Sequence, residues 1–321
     1  MPAGTGSTSL GTGPHDMRFH SPGRLLAGAA AFVLIFASPG RAQNPPALPP
    51  PPAVPEKTKA QPKSRSMAAW STAEFLKAMP ELKGLEPAVN QEPLTALLEG
   101  ASQNVKQLFD SLPDVVARER IDIEDPLHHT EEDFNYLALR PPENAGIAIE
   151  EYRTDDAGKR VEPATEHGFV TKGAVSMVIH FHPLYLPDSW FRYLGRQKMD
   201  NRPANVVYFE QIPGRARVIQ SLISNGRSIV IMVQGVAWID SEDHHILRMR
   251  TDLLQPDDDP ELEKETTESR LAEVRFQDAD QTFWLPHDVT VTIRWNHTEF
   301  RNRHRYSRFR LFRAESQLTP G

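Results

Sequence analysis

Two histidines one residue apart, His180 and His182, are the first place in this chain to look for chemistry. If His180-Phe181-His182 is extended, residues i and i+2 share a face and both imidazoles reach one ion. No third ligand stands at a fixed spacing and Pro183 ends the strand at once, so a polar strand face is the preferred reading. The adjacent pairs His128-His129 and His244-His245 fall in expected loops, where they read as solvated. Nucleophilic catalysis has no foothold. There is no Gly-x-Ser-x-Gly elbow, and the absence of cysteine excludes thiol chemistry, disulfides and Cys-type zinc sites. Glu150-Glu151 and Asp257-Asp258-Asp259 are sequence neighbours rather than positioned acid/base pairs, and the acidic run lacks the ordering glycine of a calcium loop. Gly4 to Gly13 follows no strand, so it is no phosphate loop. The expectation is a chain without catalytic residues or cofactor, a metal-dependent hydrolase using His180 and His182 being the last-ranked alternative.

The stretch Arg294 to Arg313 is chemically loud: seven arginines and five aromatics in twenty residues. Such a mixture suits phosphates and stacked bases. It also suits a β-strand with one wet face, arginine stems lying over apolar neighbours and guanidinium groups paired with acids on the next strand. On strict alternation Arg305, Ser307, Phe309 and Leu311 point one way, and Tyr306, Arg308, Arg310 and Phe312 the other. The strand reading is preferred, with Arg308 and Arg310 as candidate contacts to a protein partner.

Compartment decides against nucleic acid. The chain has 321 residues, 36 Lys+Arg against 43 Asp+Glu, and a formal charge of −7. Leu25 to Phe36 is an apolar run of twelve preceded by Arg18 and Arg24, and Gly40-Arg41-Ala42 supplies small residues at the −3 and −1 positions of a signal-peptidase site. Twelve residues fall short of the roughly 20 a spanning helix needs. Residues 1–42 are therefore expected to be a signal peptide cleaved after Ala42, with Met17 as a more conventional start and an uncleaved anchor as the alternative. Its removal takes away three arginines and one aspartate, leaving 33 basic and 42 acidic residues, a net of −9. A periplasmic or secreted acidic protein is the expectation, with no nucleic-acid partner and no transmembrane segment in the mature chain.

Residues 43–66 form a proline-rich linker, with eight prolines between Asn44 and Pro62 that keep it extended and solvated. Residues 67–113 read as helical. Ser71 with Glu74 has the form of a capping box. From Pro93, residues Leu94, Leu97, Leu98, Ala101, Val105, Leu108, Phe109 and Leu112 make one apolar stripe, closed by Pro113. From 114 to 317 the period drops to two. Strands are expected at 115–123, 134–139, 147–153, 174–182, 205–212, 218–223, 228–233, 236–240, 246–252, 270–276, 289–295 and 306–315. About a dozen short strands with short turns predict an α+β, mainly antiparallel fold: a curved half-barrel of about 10–12 strands on one long amphipathic helix.

Gly235-Val-Ala-Trp-Ile-Asp240, then Ile246-Leu-Arg-Met-Arg250, Phe283-Trp-Leu-Pro286, Asn302-Arg-His-Arg-Tyr-Ser307 and Phe309-Arg-Leu-Phe312 carry a resemblance. Their order is similar to the C-terminal half of exported bacterial proteins of the LolA-like group, the outer-membrane lipoprotein-sorting and carrier proteins. The resemblance spans roughly Val115 to Glu315 and implies a curved sheet around helices with an apolar cavity for an acyl chain or a partner segment. The leading functional expectation is a non-enzymatic envelope protein that holds a lipid or lipoprotein in its concave face, lined by Phe181, Trp238, Trp284, Val291 and Trp295. For each of these, packing against the 94–112 helix is the competing role. The alternative is an envelope structural or sensing module that binds another protein through a sheet edge or the basic terminal strand.

Overall fold

Ser71 begins the ordered helical region as its capping box requires: Ser71 N–H donates to Glu74 Oε2 at 2.7 Å, and Glu74 N–H to Ser71 Oγ at 3.3 Å. The computed structural model describes residues 30–34, 66–140, 147, 149–163, 169–217, 220–224, 227–255, 262–276 and 281–312. The cleavage position after Ala42, residues 43–65 of the expected linker and the acidic residues Asp257–Asp259 lie outside them. Helix α1 is Thr72–Ala78, followed by a 3-10 turn, Pro80–Leu82. Helix α2, Leu94–Ser111, starts at Pro93 as the apolar stripe predicts, and it buries Leu97, Ala101, Val105 and Leu108. No described helix is long and apolar enough to cross a membrane.

The strands in chain order are β1 Ala30–Leu34, β2 Glu86–Pro87, β3 Val115–Glu124, β4 His129–Leu139, β5 Glu150–Thr154, β6 Arg160–Val161 and β7 Phe169–Thr171. They continue as β8 Ser189–Met199, β9 Arg202–Gln211, β10 Gln220–Ser224, β11 Arg227–Asp240, β12 Ile246–Gln255, β13 Leu262–Arg275, β14 Thr282–Trp295 and β15 Thr298–Leu311. They form one sheet in the order β2-β8-β9-β11-β12-β13-β14-β15-β3-β4-β5-β6, from which β10, β1 and β7 branch at the first half of β11. Every described pair is antiparallel except β1 with β7. The architecture is the expected open, curved antiparallel sheet around a helix, with more strands than the dozen predicted.

Three expectations need correction. Residues 174–182 are not a strand: Val175–Phe181 is a 3-10 helix, buried along its whole length. Its unbroken apolar run matches a wholly enclosed segment, which periodicity alone cannot tell from a buried strand. Strand β8 was not foreseen, because Ser189-Trp-Phe-Arg-Tyr-Leu-Gly-Arg alternates poorly around a bulge between Tyr193 and Gly195. The strands expected at 228–233 and 236–240 are one, β11. Gly235 does not interrupt it; a Cβ there would stand 2.0 Å from Arg250 O on β12, so glycine is what lets the two strands pair closely.

The two faces of the sheet are covered by different pieces of chain. On the concave face α2 and the 175–181 turn pack with Val115, Ala117, Val207, Phe209, Val233, Ala237, Met249, Leu285, Val289, Val291 and Ile293 in one core. On the other face Met67, Phe75, Met79, Leu82 and Leu85 pack on Leu194, Val206, Tyr208, Val236 and Trp238. Between them the chain rounds the sheet edge as β2, paired with β8 at Arg196 and Gly195.

Candidate functional site

The concave face is not purely apolar. Where β3, β4, β5 and β15 meet, alternation turns Glu119, Tyr136, Glu151, Arg153, Asn302, His304 and Tyr306 inward. Glu119 is 0% exposed and forms a two-point ion pair with Arg153, with Nε to Oε2 at 2.7 Å and Nη2 to Oε1 at 2.8 Å. His304 Nδ1 lies 2.8 Å from Glu119 Oε1. Burial pushes the Glu119 carboxyl up, but Arg153 and His304 together outweigh it and bring it to about 2. The same cluster reaches across to β7: Arg153 Nη1 donates to Thr171 O at 2.9 Å, Asn302 Nδ2 donates to Phe169 O at 2.5 Å, and His304 Nε2 meets Thr171 Oγ1. Inward polar groups of the sheet thus grip the carbonyls of an extended segment lying in the cup.

Two further carboxyls face the same interior. Glu151 accepts from Tyr136 OH, from Ser176 Oγ at 2.8 Å, and from the backbone N–H of Ser176 at 3.1 Å and Val175 at 3.3 Å, so it ties β5 to the start of the 3-10 helix. Desolvation nonetheless pushes its pKa up. Glu265 on β13 is also 0% exposed, with Thr267 Oγ1 donating to its Oε1 at 2.5 Å and its Oε2 without a partner. Burial, with a smaller contribution from the Asp252 charge and no cation beside it among the described residues, raises its carboxyl to about 8. Glu119, Arg153 and Glu265 were not singled out from the sequence; Glu151 entered only as a neighbour of Glu150, and Asn302, His304 and Tyr306 only as part of a resemblance motif. A charge on an alternating strand reads as solvent-facing, and the partners are far apart in the chain.

Among the described residues two narrow hollows adjoin this face. One, open to solvent at its mouth, is bounded by Tyr136, Glu151, Arg153, Thr171, Lys172, Gln220, Thr267, Val291, His304 and Tyr306, among others. The other lies beside α2 against Val178, His245, Ile246, Leu271, Phe283 and Trp284. Of the expected lining residues, Val291 borders the first hollow and Trp284 the second, where its ring stacks on His245 at 5.4 Å. Trp295 is half-buried against the concave core. Phe181 is fully buried between Phe191 and Phe209 and packs as core. Trp238 is a correction: it lies on the opposite face, under the 67–85 segment, its Nε1 donating to Gln197 Oε1 at 2.7 Å.

The two histidines do not share a strand face. His180 is inside the 3-10 helix and His182 at its end, so the same-face argument for a strand lapses. His180 packs on Phe209 and burial lowers its pKa to about 4; His182 sits edge-on to Phe109. Among the described residues, the cluster with metal-compatible spacing is Asp122, His129 and Glu131, in which Asp122 already takes both oxygens to Arg305 Nη2 at 2.8 Å.

The arginine-rich stretch is β15, and its outward guanidinium groups mostly find acids: Arg301 with Glu124, Arg303 with Asp288, Arg305 with Asp122. Strict alternation fails at one place. Arg308 has φ +55°, and the register to β3 slips between Ser307 and Arg310. This bulge puts Tyr306, Phe309 and Leu311 all against the concave core while Arg308 and Arg310 stay exposed. Tyr306 and the two arginines therefore do not share a face, contrary to the alternation. Arg308 and Arg310, with Arg118, Asn135 and Asp156, border a shallow surface depression, where Arg118 pairs with Asp156 at 2.7 Å.

No protein-family model matches the chain, and a search of curated proteins found no match. Solved structures do. A domain from Vibrio parahaemolyticus described as an outer membrane lipoprotein-sorting protein aligns over 68% of this chain and 94% of its own, at 12% identity and a TM-score of 0.38. A DUF1329 family protein from Desulfovibrio piger aligns over 70% of this chain and 95% of its own, at 10% identity and a TM-score of 0.37. A LolA superfamily protein from Nitrosomonas europaea aligns over 70% of this chain and 95% of its own, at 11% identity and a TM-score of 0.32. At TM-scores below 0.5 these likenesses carry no weight for function, and the architecture stands on its own strand register. The chain is similar to the LolA-like group, the same group its sequence motifs resemble.

Proposed function

We propose that this chain is an exported, non-enzymatic envelope protein that binds another polypeptide, using its sheet edges and the basic end of β15. The observation that carries the reading is the state of the cup: α2 and the 175–181 turn occupy the concave face that a bulky acyl ligand would need. Polypeptide contact is further supported by the grip of Asn302 and Arg153 on the carbonyls of Phe169 and Thr171, which is chemistry suited to a backbone. Exposed Arg308 and Arg310 add a basic contact, and the mature chain's acidic surface elsewhere would disfavour non-specific anion binding. Each inward carboxylate of the Glu119 and Glu151 clusters is held by fixed partners, an arrangement for structure rather than proton transfer.

Export rests on the leader ending at Ala42. The test is recovery of the tagged chain from the periplasm of the cell that makes it, with N-terminal sequencing, chemical crosslinking and native mass spectrometry. A chain beginning at Gln43, a stoichiometric polypeptide partner and loss of that partner on combined Arg308→Glu and Arg310→Glu substitution are expected. A stoichiometric extractable lipid with no polypeptide would replace this reading with the carrier one.

A further inference from the structure

The strand β1 stands inside the apolar run 25–36, the part of the chain that the leader reading removes. Its backbone is seated between two other strands. It pairs antiparallel with β10 over five residues, from Ala30 with Ser224 to Leu34 with Gln220, and parallel with β7 over three, from Ala30 with Phe169 to Phe32 with Thr171. Strand β7 has no other ladder partner among the described residues.

We propose that the mature chain, relieved of residues 1–42, presents a one-strand slot between β7 and β10 that takes an extended, uncharged, apolar segment of a partner polypeptide. This rests on the reading of the chain as an exported protein-binding module and names where that binding occurs. Removing one strand leaves two facing edges about 9.5 Å apart, twice the spacing of neighbouring strands. Both edges offer alternating N–H and C=O groups, which another backbone satisfies and an acyl chain does not. The present occupant, Ala-Ala-Phe-Val-Leu, shows the compatible composition: five residues with no charge and no proline.

The slot has fixed walls. Strand β7 is held in place from the sheet side by Arg153, Asn302 and His304 rather than by β1 alone. The narrow hollow beside it is bordered by Thr171 and Lys172 at the β7 side, by Gln220 at the β10 side, and by Thr267, Val291 and His304 on the sheet. Asn302 spends its Nδ2 on Phe169 O and keeps its Oδ1 buried without a partner. These residues lie at the same place as the slot, so an entering chain would find apolar and polar contacts beyond the two ladders.

The absence of cysteine makes a register test clean. Mature chain 43–321 carrying Ile223→Cys or Val170→Cys is mixed with a lysine-flanked synthetic peptide of residues 28–36 carrying Ala31→Cys, because Ala31 lies opposite both Ile223 and Val170. Disulfide crosslinking to both positions is expected, at least about tenfold above a peptide carrying Phe32→Cys instead, since a one-residue shift turns the side chain to the other face. Apolar strand peptides should compete and palmitate should not. A mature chain that is folded by circular dichroism yet crosslinks without register preference, or is emptied by palmitate, overturns the proposal. Partner capture in cells that persists when Ile223→Cys is capped with a bulky maleimide would also overturn the slot, while leaving the protein-binding reading in place.

Discussion

Two buried carboxyls of the same sheet face shift in opposite directions, and the difference is whether a cation came with them. Glu119 has Arg153 and His304, and its folded pKa is brought from 4.5 to about 2. A carboxyl depressed in this way adds stability that is complete above 4.5 and is lost as pH falls towards 2. Glu119→Gln leaves Arg153 buried without its counter-charge and should cost about 3–5 kcal/mol at neutral pH. Urea unfolding at pH 7 and across pH 2–5 checks this, the variant also losing the acid-dependent part of the wild-type curve. Glu265 has no such partner, and its folded pKa rises to about 8. The unfolded chain releases that proton near 4.5, so wild-type stability should decline from there up to about pH 8, by at most about 1.4 kcal/mol per pH unit. Glu265→Gln should remove the decline; a wild type and variant whose midpoints run parallel from pH 5 to 8 would show Glu265 to be ionised in the fold. Neither residue was legible in the sequence. Glu119 stands 34 residues from Arg153 and 185 from His304, and only the sheet order β15-β3-β4-β5 brings the three together.

Among the elements, the bulge in β15 shows how one residue sets the fate of a strand's end. Arg308 adopts the left-handed backbone, a conformation that costs a side-chain-bearing residue roughly 1–2 kcal/mol. Arg308→Gly should therefore raise stability by about 1 kcal/mol. Deleting Arg308 should also be tolerated: Tyr306-Ser307-Phe309-Arg310-Leu311 then alternates without a break and keeps Tyr306, Phe309 and Leu311 on the core face, so stability should stay within about 1 kcal/mol of the wild type. Thermal unfolding of the two variants separates a bulge that places side chains from one that merely tolerates an extra residue. The sequence supplied the strand and its arginine-acid pairing, but a period-two rule has no signal for a bulge unless glycine marks it. The same limit explains other misses. The first halves of β13 and β14 contain Glu265-Thr266-Thr267 and Pro286-His287-Asp288, polar or proline-bearing stretches with no period-two apolar pattern to mark them. They are strands because β12 and β15 supply ladders on either side. By contrast α1 and α2 were legible almost to the residue, since capping and the 3.6 period are local and each acts without tertiary help.

At the level of the whole molecule, the helical region 67–113 is not one layer but a clamp. Its first part covers the outer face at β8, β9 and β11, and its second part fills the cup. The link crosses the sheet edge as β2, where Gly195 at φ +139° has no Cβ to strike Glu86 O, 2.0 Å from where that atom would stand. Gln197 fastens the outer arm, donating to Glu81 O at 2.8 Å and Lys83 O at 3.0 Å while accepting from Trp238. Stability of the sheet should then depend on α1 as much as on α2. Phe75 is the place to ask. It is 0% exposed, meets Trp70 and Tyr208 edge-on at 5.4 and 5.2 Å, and lies under the Arg192 guanidinium at 5.1 Å. Phe75→Ala should cost about 3–5 kcal/mol in a single transition followed by tryptophan fluorescence, as expected for a large side chain removed from a shared core. A change within about 0.5 kcal/mol, or a separate early transition, would mean that residues 67–85 are a detachable arm. Releasing that arm would bare Trp238, Tyr208 and Val236 and give the outer face, rather than the cup, the larger apolar surface for a partner.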